Sequence, residues 1–310
     1  MCTVDVGVGP SVPYCSSYLN PIRRRELQLY RSQLSDTRMS MLRRCRAVIF
    51  DLDDTLVPTS RIDRGAILAA AARALGEAAS SSTAKSVADR FAGLLKTAPF
   101  PTAESGQDVP TWRSHLWARA LQEEGPGNGN DADKSIQNAA AVTSAAQLAH
   151  DAWVEERLNQ FRFADDVVAM VRRIQAAGYK TCILTNGHAD VQRAKASACE
   201  AAVLFGEGRV IVAGEHEEQK PAASIFRVAC EALDEAADTT IMVGDSYAAD
   251  IAGAVNAGLL ATVWVRPDTS SGEAESLMHG HLAVVPDGSP PPDFTVNSVL
   301  GLEAVLEKIG

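Results

Sequence analysis

The stretch AVIFDLDDTLV, residues 47–57, sets the reading of the whole chain. Ala47, Val48, Ile49 and Phe50 form a short continuous apolar run, the pattern of a strand buried on both faces. Asp51, Asp53 and Asp54 follow at once. Like charges this close repel, and each carboxylate is costly to take out of water. Such a cluster at the end of a buried strand calls for a cation or a reaction.

Beyond residue 163 the same kind of strand recurs between helices. The runs CILT, VIVAG, IMVG and ATVWV alternate with amphipathic stretches such as DDVVAMVRRIQAAG, ADVQRAKASA, KPAASIFRVACEAL and AADIAGAVNAG. Strands alternating with helices imply a parallel sheet covered on both faces, an α/β fold. HLAVV is read as a last strand, and VNSVLGLEAVLEKI as a final helix. The helix of KPAASIFRVACEAL is expected to start at Pro221. Residues 61–162 carry helical spacing instead, in RIDRGAILAAAARALGEAA, TWRSHLWARALQEE and IQNAAAVTSAAQLAHDAWVEERL, with the flexible-looking GPGNGNDADKS at 125–135. The expected organisation is an extension at 1–43, read as disordered, a core at 44–60 and 164–310, and an inserted helical domain at 61–163.

Bulk composition narrows the function. The 310 residues carry 39 acids against 29 bases, a net charge of −10. An acidic surface argues against general nucleic-acid binding. No apolar run reaches the length of a membrane span, so no membrane partner is expected. An anionic substrate would need a local positive site. The six cysteines form no CxxC pair and suit a reducing compartment, so a cytoplasmic location is expected. Residues 1–40 are Arg- and Ser-rich with few acids, which keeps organelle targeting open.

In an open α/β sheet, ligands bind beyond the carboxyl ends of the strands. Polar residues gather there four times. Asp51, Asp53 and Asp54 follow the first strand, Thr185 and Asn186 follow CIL, Lys220 opens a helix, and Asp245 and Ser246 follow IMVG. Asp51 and Asp245 can chelate a hard cation such as Mg²⁺. That cation with Lys220 makes a pocket for a phosphoryl dianion, and Thr185 and Asn186 can donate to its oxygens. A carboxylate can attack phosphorus, and an acid two residues later can protonate the leaving alkoxide.

The motifs DLDDT, LTNG, KP and VGDSYAAD resemble, in order, the four motifs of the haloacid dehalogenase superfamily. The resemblance implies a Rossmann-like core with an all-helical cap of the first type. It implies Asp51 as nucleophile and metal ligand, Asp53 as acid/base with its carbonyl on Mg²⁺, and Asp245 as metal ligand. Thr185, Asn186, Lys220, Asp53 and the Leu52 backbone would hold the phosphate of a small metabolite. Longer matches, LTNGHADVQRAKASAC, GEHEEQKPAASIF, MVGDSYAADIAGAVNAGLLATVWV and TWRSHLW, resemble family members acting on a sugar-acid phosphate such as N-acylneuraminate 9-phosphate. Other small phosphates (phosphoglycolate, a hexose phosphate, a nucleotide) are the alternative substrates. A phosphosugar mutase is disfavoured because LVPTSRIDRGAIL holds no His for a proton shuttle.

The remaining candidates have plainer readings. Asp54 is expected to be a loop residue and Asp250 a brace for the site. His188 reads as a surface residue at a helix start, and His279 with His281 as an unassigned pair. Trp112, Trp117 and Trp153 are read as helical-domain core. Arg113 and His115 are that domain's candidates for meeting a substrate carboxylate.

Overall fold

Strand β1 (Ala47–Phe50) is the first element of the computed structural model and lies inside its sheet. The structure describes residues 45–77, 79–101, 106–125, 135–266, 285 and 289–309. The 1–43 extension, most of the 125–135 loop, His279 and His281 lie outside these residues. β2 (Lys180–Thr185), β3 (Val210–Val212), β4 (Thr240–Gly244), β5 (Ala261–Val265) and β6 (Phe294–Val296) join β1 in one sheet. All pairings are parallel, in the order β3-β2-β1-β4-β5-β6, with Phe50 level with Ile183 on one side and Val243 on the other.

Two faces follow from the alternation of side chains along a strand. Val48 and Phe50 pack with α5 (Asp165–Ala176) and α10 (Leu302–Ile309) in one cluster. Ala47 and Ile49 pack with α8 (Ala223–Leu233) in another. Both faces are therefore dry, which is why β1 reads as an unbroken apolar run and β4 and β5 as nearly continuous ones, broken only by the buried Thr240 and Thr262. Shorter helices α6 (Ala189–Ala198), α7 (Ala201–Phe205) and α9 (Gly253–Asn256) fill the crossovers.

Between β1 and α5 stand α1 (Thr59–Leu75), α2 (Ser81–Thr97), α3 (Val109–Glu124) and α4 (Ser135–Gln160). Ser80 and Asp108 cap α2 and α3 by accepting from the Thr83 and Thr111 amides, which satisfies otherwise orphaned donors. These helices bury an apolar cluster of their own, built on Phe91, Trp117 and Trp153. Phe91 stacks on Trp117 at 3.8 Å, with Trp153 edge-on at 5.3 Å.

Two expectations change. The helix after Lys220 begins at Ala223 rather than Pro221. AADIAGAVNAG is not one α-helix: a wider π turn over Tyr247–Ala252 precedes α9. Of HLAVV, residues 281–284 lie outside the described residues and Val285 is in no strand. The edge strand is β6, three residues after a proline run, too short to show a period. Among the described residues no helix is long and apolar enough to cross a membrane, and Cys45, Cys182, Cys199 and Cys230 are free thiols.

Candidate active site

The chain runs outward from β1 through β2 to β3, then returns to β4 on the other side of β1. The carboxyl ends of β1 and β4 therefore flank the point where the winding reverses, where a crevice opens in such sheets. Asp51 follows β1 and Asp245 follows β4. Asp51, Asp245 and Asp250 bring carboxylate oxygens within 4.8 Å of one another, all buried. Lys220 reaches in with Nζ 2.6 Å from Asp51 Oδ1 and 2.7 Å from Asp250 Oδ1.

Charge in this cluster does not balance. Three carboxylates meet one ammonium, which leaves two negative charges out of water. Burial pushes the Asp51 carboxyl up to about 7, with Lys220 opposing and Asp250 and Asp53 adding to the rise. Burial likewise pushes Asp245 up to about 9, helped by Asp51 and Asp250. Lys220 moves up because Asp250 and Asp51 outweigh its own desolvation. Among the described residues the Asp245 carboxylate accepts only a long contact from the Thr55 hydroxyl, 3.5 Å. An all-oxygen site short of two positive charges fits a divalent hard cation.

Asp250 is tied on both oxygens, to Lys220 and to the Ser246 amide at 2.9 Å. That makes it a strut holding the lysine, although it stands within the acid trio. Gly244 is required beside it, since a Cβ there would overlap the Asp250 carboxylate. Asn186 grips the Lys220 backbone in both directions, Nδ2 to O at 2.8 Å and N to Oδ1 at 2.9 Å. The side chain expected to donate to a phosphoryl oxygen is thus committed to placing Lys220. The Thr185 hydroxyl is buried at the end of β2, with no partner among the described residues. Leu52 is fully buried, and its carbonyl accepts from the Leu56 and Val57 amides to close the turn after β1.

Asp53 faces another set of partners. Lys195 Nζ lies 2.7 and 2.9 Å from its two oxygens, Thr59 Oγ1 donates at 2.6 Å and Gln192 Nε2 at 2.9 Å. Burial alone would raise Asp53, but Lys195, Thr59 and Arg157 hold its carboxyl well below the usual range. Asp54 adopts a left-handed φ of 58° and accepts from the Ser60 amide at 2.7 Å, tying the turn to the start of α1.

Lys195 and Gln192 carry no motif. Their trace in the sequence is periodicity: three apart in ADVQRAKASA, they are polar residues on the buried face of α6. Arg113 and His115, paired in the sequence reading, separate here. His115 is exposed and bonds Gln107 at 2.8 Å, whereas Arg113 sits half-buried against Trp153.

The family model for haloacid dehalogenase-like hydrolases matches residues 45–258. The human N-acylneuraminate-9-phosphatase is 33% identical over 269 residues, 86% of this chain and 96% of that protein. The Thermus thermophilus phosphoserine phosphatase is 30% identical over 230 residues, 71% of this chain and 88% of that protein. The crystal structure of the magnesium-bound HAD-hydrolase YfnB from Bacillus subtilis superposes with a TM-score of 0.52 at 21% identity, covering 84% of this chain and 98% of that one, a likeness of fold. With the switch-point acids, the lysine between them and a match over two thirds of its length, the chain belongs to the haloacid dehalogenase-like hydrolases and is a phosphatase of that family.

Proposed function

We propose that the enzyme is a Mg²⁺-dependent phosphomonoesterase working through an aspartyl-phosphate on Asp51, with N-acylneuraminate 9-phosphate or a similar sugar-acid phosphate as substrate. The observation that carries the chemistry is Asp51 itself: buried at the switch point, 2.6 Å from Lys220 and beside two further acids. The similarity to N-acylneuraminate-9-phosphatase supports the substrate.

Asp51 attacks phosphorus, and the bond to the leaving oxygen breaks as that oxygen takes a proton from Asp53. Asp53 then removes a proton from water, which attacks the same phosphorus and releases Asp51 and inorganic phosphate. Lys220 and the Thr185 hydroxyl hold the phosphoryl oxygens, with the Leu52 backbone in the turn beneath. Asn186 acts by setting Lys220. Asp51, Asp245 and the Asp53 carbonyl would hold Mg²⁺, whose charge offsets that of the phosphoryl group and the acids around it. An acid must carry a proton, and Lys195 opposes that on Asp53. The proton-transfer step therefore requires Asp53 to leave Lys195 once substrate fills the site. The helical unit α1–α4 serves as the cap over this crevice, because Thr59 at its first residue already touches Asp53.

Asp51→Asn is close to isosteric but cannot attack phosphorus. It should lower aryl phosphate hydrolysis in Mg²⁺ by more than about 10³-fold with an unchanged circular dichroism spectrum. A folded variant within about tenfold of wild type would end the nucleophile assignment. In a panel of N-acylneuraminate 9-phosphate, phosphoserine, phosphoglycolate, a hexose 6-phosphate and a nucleoside monophosphate, the first should show the highest kcat/KM. A hexose phosphate or nucleotide leading by about tenfold would sink the substrate reading and leave the chemistry standing.

A further inference from the structure

Arg113, on α3, makes no hydrogen bond or ion pair among the described residues, and its Nε is fully enclosed. Its guanidinium lies over the ring of Trp153, 4.9 Å from Cζ to the centroid. A second guanidinium, that of Arg157, lies 5.3 Å from the same ring with its Nε 2.8 Å from Asp63 Oδ1. The Trp153 indole N–H also points to Asp63, at 3.2 Å. Two guanidiniums therefore flank one indole, and the carboxylate beside it is engaged by the second of them and by the indole, not by Arg113. Burial pushes the Arg113 guanidinium down to about 10, and Arg157 adds to the push. A half-buried guanidinium without an acceptor is costly unless something negative comes to it.

The position of the two arginines says what comes. Asp63 lies one turn along α1 from Thr59, the residue that donates to Asp53, a rise of about 6 Å. Arg157 lies one turn before Phe161, whose ring centroid is 5.5 Å from the Lys195 ammonium. The charge of Arg157 is felt at both Asp53 and Lys195. The two arginines thus adjoin Asp53 and Lys195, the acid that serves the leaving group and its partner, rather than Lys220 and the acids that meet the phosphate. We infer that Arg113 and Arg157, on their Trp153 floor, bind a second anionic group of the substrate, a carboxylate. The inference rests on the phosphatase reading, and the substrate named above is one of several that carry such a group. A planar guanidinium matches a carboxylate with two parallel hydrogen bonds, and the indole keeps competing water away. Arg113 is the residue with capacity to spare, whereas Arg157 is held by Asp63.

The test uses the full chain with Mg²⁺ and reads a ratio: kcat/KM for the best carboxylate-bearing phosphate of the panel over kcat/KM for an aryl phosphate. Arg113→Ala should lower this ratio by about 10- to 100-fold, mainly through KM, the range for losing a charged hydrogen bond. Arg113→Lys keeps the charge but not the fork, and should lower it by about three- to tenfold. The lysine variant decides if the alanine one fails to fold. A ratio within about twofold of wild type in the folded variants overturns the site, as does a wild type that prefers a hexose phosphate to every carboxylate-bearing member. Should phosphoserine or phosphoglycolate lead, the sugar-acid reading fails alone, and the same ratio on that substrate decides for or against the site.

Discussion

Lys195 sits 2.7 and 2.9 Å from the oxygens of Asp53, with Gln192 and Thr59 completing the carboxylate's coordination. The pair holds Asp53 ionised, so its contribution to stability is present above the carboxyl's ordinary value of 3.8 and is lost only as pH falls through a lower one. Lys195→Met strands Asp53 without a cation. The variant should lose about 3 kcal/mol in urea melts near neutral pH, the low end for a buried pair because Asp53 is a quarter exposed. In the variant the lone carboxyl titrates above its ordinary value, so the loss should shrink as pH falls toward about 4, where it takes up a proton. A loss that stays constant over this range would mean Lys195 acts by packing rather than by charge. Neither Lys195 nor Gln192 stands out in the sequence, because ADVQRAKASA looks like an ordinary solvated helix until its buried face is known.

At the scale of elements, the end of β4 carries the most constraint. Gly244 gives way to Asp245, the π turn over Tyr247–Ala252 follows, and Asp250 folds back over Gly244 to reach Lys220 and the Ser246 amide. Single π turns are frequent at functional sites because they redirect one side chain without ending the helix. Gly244→Ala places a methyl into the Asp250 carboxylate. It should cost about 1–3 kcal/mol by chemical denaturation and reduce kcat in the same variant, since Lys220 loses its strut. Wild-type stability and turnover would show that Asp250 has room to shift. The motif VGDSYAAD revealed Asp245 and a bracing Asp250, but not the turn, which no local propensity distinguishes from the first turn of an α-helix.

For the molecule as a whole, the six-stranded order gathers four separate strand ends into one crevice that lacks two positive charges. Without metal, Asp51 near 7 and Asp245 near 9 are carboxyls raised above their ordinary 3.8. Folded chain then binds protons that the unfolded chain has released, so stability should fall as pH rises across this window. Mg²⁺ binds only the ionised ligands of the folded state, so it should restore that loss. At about 100 times its Kd the gain is about 2.7 kcal/mol, or several degrees in Tm. The increase should be larger at pH 8 than at pH 5.5, read by thermal melts with chelator as control. No increase at either pH would contradict the metal site. The sequence by itself determined the α/β class, the helical insertion after β1 and the four polar clusters at strand ends. Buried parallel strands are nearly continuous apolar runs, and a cluster of charges at their ends cannot hide in such a pattern. Only the tertiary structure decided the strand order, the commitment of Asn186 to Lys220, the capture of Asp53 by Lys195 142 residues away, and the meeting of Arg113 with Trp153. Periodicity reports which face of an element is buried, but a partner across the fold is chosen by packing, which no local spacing records.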